Sequence, residues 1–187
     1  MFLSRYNKLT LNRLLDMKQL KTKIRDIVDF PNVGIVFKDI TPLLKDHDSL
    51  LLAVKALAFP YLKAEITAVA GMEARGFIFG SLVAQQLGVG FIPLRKPGKL
   101  PANVERVDYD LEYGSAGLEA HSDAVTPSDK ILLIDDVLAT GGTAQASCQL
   151  IEKLGGEIIA CAFLIELGPL DGRSKLTSYP VHSLLKY

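Results

Sequence analysis

Four short apolar runs set the limits on what this chain can fold into: Ile66–Ala70 (ITAVA), Gly90–Leu94 (GFIPL), Ile131–Asp135 (ILLID) and Glu157–Ile165 (EIIACAFLI). None alternates polar with apolar, so each predicts a strand buried on both faces. Between them lie helical patterns. One, around Phe77–Leu87, ends at Gly88; another places Ala144, Cys148, Ile151 and Leu154 on one face and ends at Gly155-Gly156. Strand, loop and helix in repetition predict an α/β fold with a mostly parallel sheet flanked by helices.

The first third is less regular. Leu20, Ile24, Ile27 and Val28 are spaced as an amphipathic helix that stops before Pro31. FPNVGIVFKDITPLL (30–44) reads as an ordered loop with a short extended piece, and Ser49 as the cap of a helix reaching about Phe59. Residues 97–128, rich in charge, glycine and tyrosine, are too long for an ordinary connection and read as a lid or binding loop.

Composition excludes several classes. With 187 residues, 49% hydrophobic and 22% charged, and 21 basic against 21 acidic side chains, the chain is neither disordered nor a non-specific polyanion binder. No apolar run approaches the roughly 18 residues of a membrane span. Cys148 and Cys161 stand in apolar surroundings and read as buried reduced thiols of a cytoplasmic protein, and His47, His121 and His182 are scattered. Residues 1–16 lack an uninterrupted apolar region and are read as a tail, an extension or an upstream start before Met17. Residues 17–187 are read as a single domain.

The chemistry concentrates in ILLIDDVLATGGT (131–143). An apolar strand delivers Asp135 and Asp136, and a short loop then leads through Thr140-Gly141-Gly142-Thr143 into a helix. The helix N-terminus favours an anion, and the glycines permit close approach to a phosphate. The paired carboxylates would repel that phosphate, so they face something else: ribose hydroxyls or a hydrated cation. Neither the lysine of a Walker loop nor a GxGxxG fingerprint is present.

These residues resemble the phosphoribosyl pyrophosphate motif of the type I phosphoribosyltransferases. GMEARGFIFG (71–80), RKPGKLP (95–101), YDLEYG (109–114) and FPNVGIVFKDITPLL (30–44) narrow the likeness to the adenine phosphoribosyltransferase family, from about Lys18 to the C-terminal HSLLKY. The resemblance implies the type I phosphoribosyltransferase fold, with a small hood and a flexible lid loop over 97–116. It also implies Mg²⁺-dependent transfer of 5-phosphoribosyl from phosphoribosyl pyrophosphate to adenine, giving AMP and pyrophosphate in purine salvage.

By the family pattern, Ala139, Thr140, Gly141, Gly142 and Thr143 would bind the 5′-phosphate, and Asp135 and Asp136 the ribose hydroxyls. Ala74, Arg75, Arg95, Lys96 and Lys99 would hold pyrophosphate. Val36, Phe37, Lys38 and Leu167 would form the adenine pocket, and Glu112 would handle the proton that leaves the purine. Mg²⁺ would be carried by substrate and water, with no direct protein ligand. A homodimer is implied, with no nucleic-acid or membrane partner.

The chain departs from the pattern at Lys38, where many relatives carry arginine, at Val104 in place of a threonine, and loosely over 115–122. Two alternatives stand beside this reading: a 6-oxopurine phosphoribosyltransferase, which Leu164–Leu167 disfavours by offering no lysine, and a ligand-sensing regulator on the same fold. Neutral overall, the chain is locally polarised. Arg95, Lys96, Lys99 and Arg106 face Glu105 alone, a net +3, while Asp108, Asp110 and Glu112 contribute −3.

Overall fold

A computed structural model describes residues 17–110 and 115–187. Glu112 and the tail 1–16 lie outside the described residues. The chain divides into two compact units, one up to Val54 and one from Lys55 to Tyr187.

In the first unit, a helical segment α1 (17–22) precedes two antiparallel strands, β1 (Arg25–Val28) and β2 (Val36–Asp39), then α2 (Thr41–Lys45) and the start of α3 (His47–Ala58). The helix expected through Val28 therefore stops at residue 22. Ile27 and Val28 pair instead with Phe37 and Val36, and Val28 is 68% exposed. A helix would have required the whole of its apolar face to be buried, and of the four residues only Leu20 and Ile24 are. Arg25 closes the ladder through two bonds to one Asp39 oxygen, at 2.9 and 2.5 Å.

Pro42 sits in the first turn of α2, where its missing N–H costs nothing, so part of the expected loop is helical. Ser49 is not the cap of α3. Asp46 is, its Oδ2 accepting the Ser49 amide at 3.1 Å. The Ser49 side chain, Lys23 and the Ser49 amide together hold the Asp46 carboxyl down at about 2.

The second unit carries a five-stranded, wholly parallel sheet. Its strands are β3 (Ala68–Met72), β4 (Gly90–Leu94), β7 (Lys130–Leu138), β8 (Glu157–Glu166) and β9 (Val181–Lys186), in the order β4-β3-β7-β8-β9. Helices α4 (Gly76–Leu87) and α5 (Gly142–Lys153) provide the crossovers. Gly88 ends α4 in the left-handed conformation, φ 73°. All five β3 residues are buried, as are seven of the ten β8 residues, 160–166, which is what the unbroken apolar runs require. The core joins Ala70, Met72, Ile131, Leu133, Phe163 and Ile151.

Residues 97–128 form more than a loop. They build an antiparallel hairpin, β5 (Val104–Asp110) and β6 (Ser115–His121), running from Val104↔His121 to Asp110↔Ser115. Its inner face is apolar at Leu118 and Ala120, both buried. Arg95 and Glu119 exchange backbone hydrogen bonds at 2.8 and 2.7 Å and fasten the hairpin to the end of β4. Glu105 pairs with Lys153 of α5 at 2.8 Å. His121 is structural here, its Nε2 lying 2.6 Å from the Pro101 carbonyl. Cys148 and Cys161 are buried free thiols with Sγ atoms 3.6 Å apart. No helix among the described residues is long and apolar enough to cross a membrane.

Candidate active site

From β3 the chain moves to β4 on one side, then returns past β3 to β7 on the other. The strand order reverses there, and in open parallel sheets ligands bind outside the carboxyl ends of the strands at such a point. Three loops leave those adjacent ends: 73–75 after β3, 95–99 after β4 and 139–141 after β7. They carry Ala74, Arg75, Arg95, Lys96, Lys99, Ala139, Thr140 and Gly141, while Asp135 and Asp136 stand on β7 and Gly142 and Thr143 open α5. The strand β7 runs further than its apolar run suggests, to Leu138, so Asp135 and Asp136 lie within paired strand, where Asp135 is in register with Phe163.

Asp136 is 3% exposed and its Oδ2 lies 2.9 Å from Nε of Arg75, which is itself 41% exposed at the side chain. One carboxylate of the pair and the guanidinium of the loop after β3 are therefore direct neighbours, although 61 positions separate them in sequence. Asp135 Oδ1 accepts the Asp136 amide at 2.8 Å. Burial, and after it the charge of Asp136, push the Asp135 carboxyl above the ordinary carboxylate range. Asp136 is raised too, by burial, with Arg75 pulling the other way. Two desolvated carboxylates side by side are poorly satisfied alone, and hydroxyl donors or a cation would relieve both.

Gly76, which follows Arg75 and opens α4, explains how Asp135 is seated. A Cβ there would stand 2.9 Å from Asp135 Oδ1 and 2.9 Å from the Ile134 carbonyl oxygen. Only glycine lets the first turn of α4 rest on β7. The signal was present within the ARG motif, but its reason is a contact between distant segments.

The turn after β4 is held from beneath. Glu73 accepts from Arg95 Nε at 3.1 Å and from the Lys96 amide at 2.9 Å, and Glu119 accepts the Gly98 amide at 2.9 Å. Burial works against the Glu73 charge, but those two partners outweigh it and hold the carboxyl below its usual range. Lys96 and Lys99 remain exposed to solvent, as does Ala74. Glu73 is thus a supporting residue that sequence reasoning passed over.

In the loop after β7, Gly141 takes φ +79° and caps α5. Its carbonyl accepts the Gln145 amide at 2.9 Å, which leaves the first-turn amides of α5 without intrahelical partners. Thr143 Oγ1 lies 3.2 Å from the Tyr109 hydroxyl of β5.

The residues expected around the base fall in two places. Leu167 follows β8 at the same carboxyl edge, its amide donating to the Leu138 carbonyl at 2.9 Å. Val36, Phe37 and Lys38 belong to the first unit. There Phe37 meets Phe30 edge-on with centroids 5.3 Å apart, and Lys38 is drawn to Asp26 at 2.7 Å. The two-stranded sheet leaves one edge of β2 outside the ladder.

Residues 43–181 match the phosphoribosyl transferase domain family. An adenine phosphoribosyltransferase of Methylococcus capsulatus is 63% identical over 91% of this chain and 100% of its own length, and one of Nitrosococcus oceani is equally similar. The crystal structure of adenine phosphoribosyltransferase from Rhodothermus marinus superposes with a TM-score of 0.89 at 49% identity, covering 93% of this chain and 99% of that one. The Saccharomyces cerevisiae enzyme, complexed with adenine and an imino-altritol bisphosphate, superposes with a TM-score of 0.87 at 35% identity, over 91% and 99%. The fold, the reversal point with its three loops and these likenesses agree: the chain belongs to the phosphoribosyl transferase domain family and, within it, to the adenine phosphoribosyltransferases.

Proposed function

We propose that the carboxyl edge of β4, β3 and β7 binds phosphoribosyl pyrophosphate for transfer of its phosphoribosyl group to adenine. The 2.9 Å approach of Arg75 to Asp136 is the observation that carries this reading, because it joins an anion-binding loop to a sugar-binding carboxylate. Ala139–Thr143 takes the 5′-phosphate on the unpartnered amides of α5 and on the hydroxyls of Thr140 and Thr143. Asp135 and Asp136 accept the ribose hydroxyls, whose protons compensate two carboxylates that burial disfavours as charges. Arg75, with the backbone around Ala74, and Arg95, Lys96 and Lys99 grip pyrophosphate. Arg75 does so through a planar fork that suits a diphosphate.

The chemical demand is electrostatic. As the bond from C1 to pyrophosphate lengthens, positive charge grows on the ribose and negative charge on the leaving group. Fixed cations on one side and carboxylates near the sugar stabilise both, and fixing the 5′-phosphate keeps the ribose in line with the base. The oxygen donors at the site are carboxylates, which suit Mg²⁺, a hard cation that keeps several waters and binds few protein groups. Asp135 and Asp136 would hold it through the ribose and water, and when bound it neutralises pyrophosphate.

Phe37 stacks on adenine, the β2 backbone at Val36 and Lys38 reads its amidine edge, and Leu167 supplies an apolar wall. Glu112 takes the imidazole proton as N9 attacks, and the segment 97–116 closes to exclude water. We read residues 17–187 as one domain acting as a cytoplasmic homodimer, with residues 1–16 a tail. Light scattering on the purified chain tests the dimer.

The substrate test is an absorbance assay with phosphoribosyl pyrophosphate, Mg²⁺ and each purine in turn. Adenine turns over. Turnover of hypoxanthine or guanine in its place overturns the assignment.

A further inference from the structure

The phosphate loop rests on Gly172, 31 positions downstream of Gly141 and outside the sequence motifs. After β8, two short 3-10 turns, Gly168–Leu170 and Gly172–Leu176, are separated by Asp171 in a left-handed conformation, φ 47°. That reversal sets the buried Gly172 against the loop. A Cβ on Gly172 would stand 2.8 Å from the Gly141 amide nitrogen, 3.0 Å from the Ala139 carbonyl carbon and closer still to its oxygen. Reciprocally, a Cβ on Gly141 would stand 3.0 Å from the Gly172 carbonyl carbon. The two backbones touch with no side chain between them.

The next residue fastens this contact to the sheet. Arg173 grips Glu166 with both arms, Nε to Oε1 at 3.0 Å and Nη2 to Oε2 at 2.6 Å, while Nη1 donates to the Val181 carbonyl at 3.0 Å. Glu166 ends β8 in register with Leu138, which ends β7 just before Ala139. The brace is therefore anchored to the strand ends from which the loop departs.

We propose that Gly172 and Arg173 are positioning residues for the 5′-phosphate, holding the backbone of Ala139–Gly141 in the shape that presents its amides to the ligand. This rests on the reading of Ala139–Thr143 as the 5′-phosphate loop. Gly172 abuts Ala139 and Gly141, and Arg173 holds the end of β8 and the start of β9, whereas pyrophosphate is assigned to the Arg75 and Arg95 loops, so loss of the brace weakens ligands with a sugar phosphate and spares pyrophosphate.

Titration calorimetry with ribose 5-phosphate and, separately, pyrophosphate in the presence of Mg²⁺ tests this on wild type, Gly172→Ala, Arg173→Ala, Arg173→Lys and a Thr140→Ala/Thr143→Ala variant. Gly172→Ala and Arg173→Ala weaken ribose 5-phosphate by about tenfold or more, the scale set by a displaced contact group, and leave pyrophosphate within about twofold, as for uncoupled sites. Arg173→Lys, which keeps the charge and loses the fork, falls between. In steady state the KM for phosphoribosyl pyrophosphate rises while that for adenine holds. If Gly172→Ala gives no cooperative melting transition, the Arg173 pair carries the same comparison. Equal losses for both ligands would show a merely structural role and overturn the proposal. So would unchanged ribose 5-phosphate binding in the brace variants while the double threonine variant loses it. Unchanged binding in the threonine variant removes the loop assignment itself, and the brace proposal with it.

Discussion

Gly76→Ala adds one methyl group at the point where α4 meets β7. Its Cβ would sit 2.9 Å from the Ile134 carbonyl oxygen, 2.9 Å from Asp135 Oδ1 and 3.3 Å from Asp135 Cα. Ordinary contact begins near 3.4 Å, so the first turn of α4 or the end of β7 must retreat by about half an ångström. No rotamer change relieves this, because two of the three obstacles are backbone. Overpacking of this kind costs about 1–3 kcal/mol, which for a chain of this size lowers Tm by roughly 3–10 °C. The same retreat moves Asp135 and the Arg75 loop together, and displacement of positioned groups by up to an ångström costs on the order of ten- to a hundredfold in turnover. Differential scanning calorimetry and kcat/KM for phosphoribosyl pyrophosphate read the two effects. Gly90→Ala is the control: nothing lies within 4 Å of its Cβ and its backbone is not left-handed, so it should leave both quantities unchanged. A Gly76→Ala enzyme with wild-type Tm and turnover would refute the claim that this glycine seats Asp135.

Asp135→Asn keeps an oxygen for the Asp136 amide but removes a charge that burial and its neighbour disfavour, so Tm should rise by about 2–4 °C, on the order of 1 kcal/mol, while affinity for phosphoribosyl pyrophosphate falls; a lower Tm would contradict the electrostatic reading. Glu112→Gln should reduce kcat far more than it weakens phosphoribosyl pyrophosphate binding, and a wild-type kcat would remove Glu112 from proton transfer. Arg173 holds the Glu166 carboxyl down at about 2 from an ordinary 4.5. Its stabilisation is therefore complete above pH 4.5 and lost as pH falls toward 2. Acid titration of Glu166→Gln, followed by circular dichroism, should show a shallower loss of stability across that window than wild type, and identical slopes would sink the assignment.

Much of this molecule was readable without coordinates, and the readable parts share a property. ITAVA, GFIPL, ILLID and EIIACAFLI are strands because the runs themselves demand burial on both faces, and Gly88 ends α4 because a residue beside the last turn must be left-handed. Asp-Asp followed by TGGT carries the family resemblance because its residues lie within nine consecutive positions. Where a segment's fate was settled by a partner elsewhere, local pattern misled. Ile24, Ile27 and Val28 have helical spacing, yet β2 pairs with the second half of that segment. Residues 104–110 and 115–121 look like irregular loop and pair as antiparallel strands because each supplies the ladder of the other. Asp46 caps α3 in preference to Ser49, one of two eligible residues chosen by where the helix begins.

The site divides in the same way. The sequence alone determined which residue types are present and that the paired carboxylates and the glycine turn lie next to one another before a helix. Tertiary structure decided that Arg75 stands beside Asp136, that Gly76 makes room for Asp135, and that Gly172 lies under Gly141. Those are contacts between backbones or charges 31 to 61 positions apart. Their existence depends on strand order and on which loops share one edge of a sheet, information that no window along the chain contains.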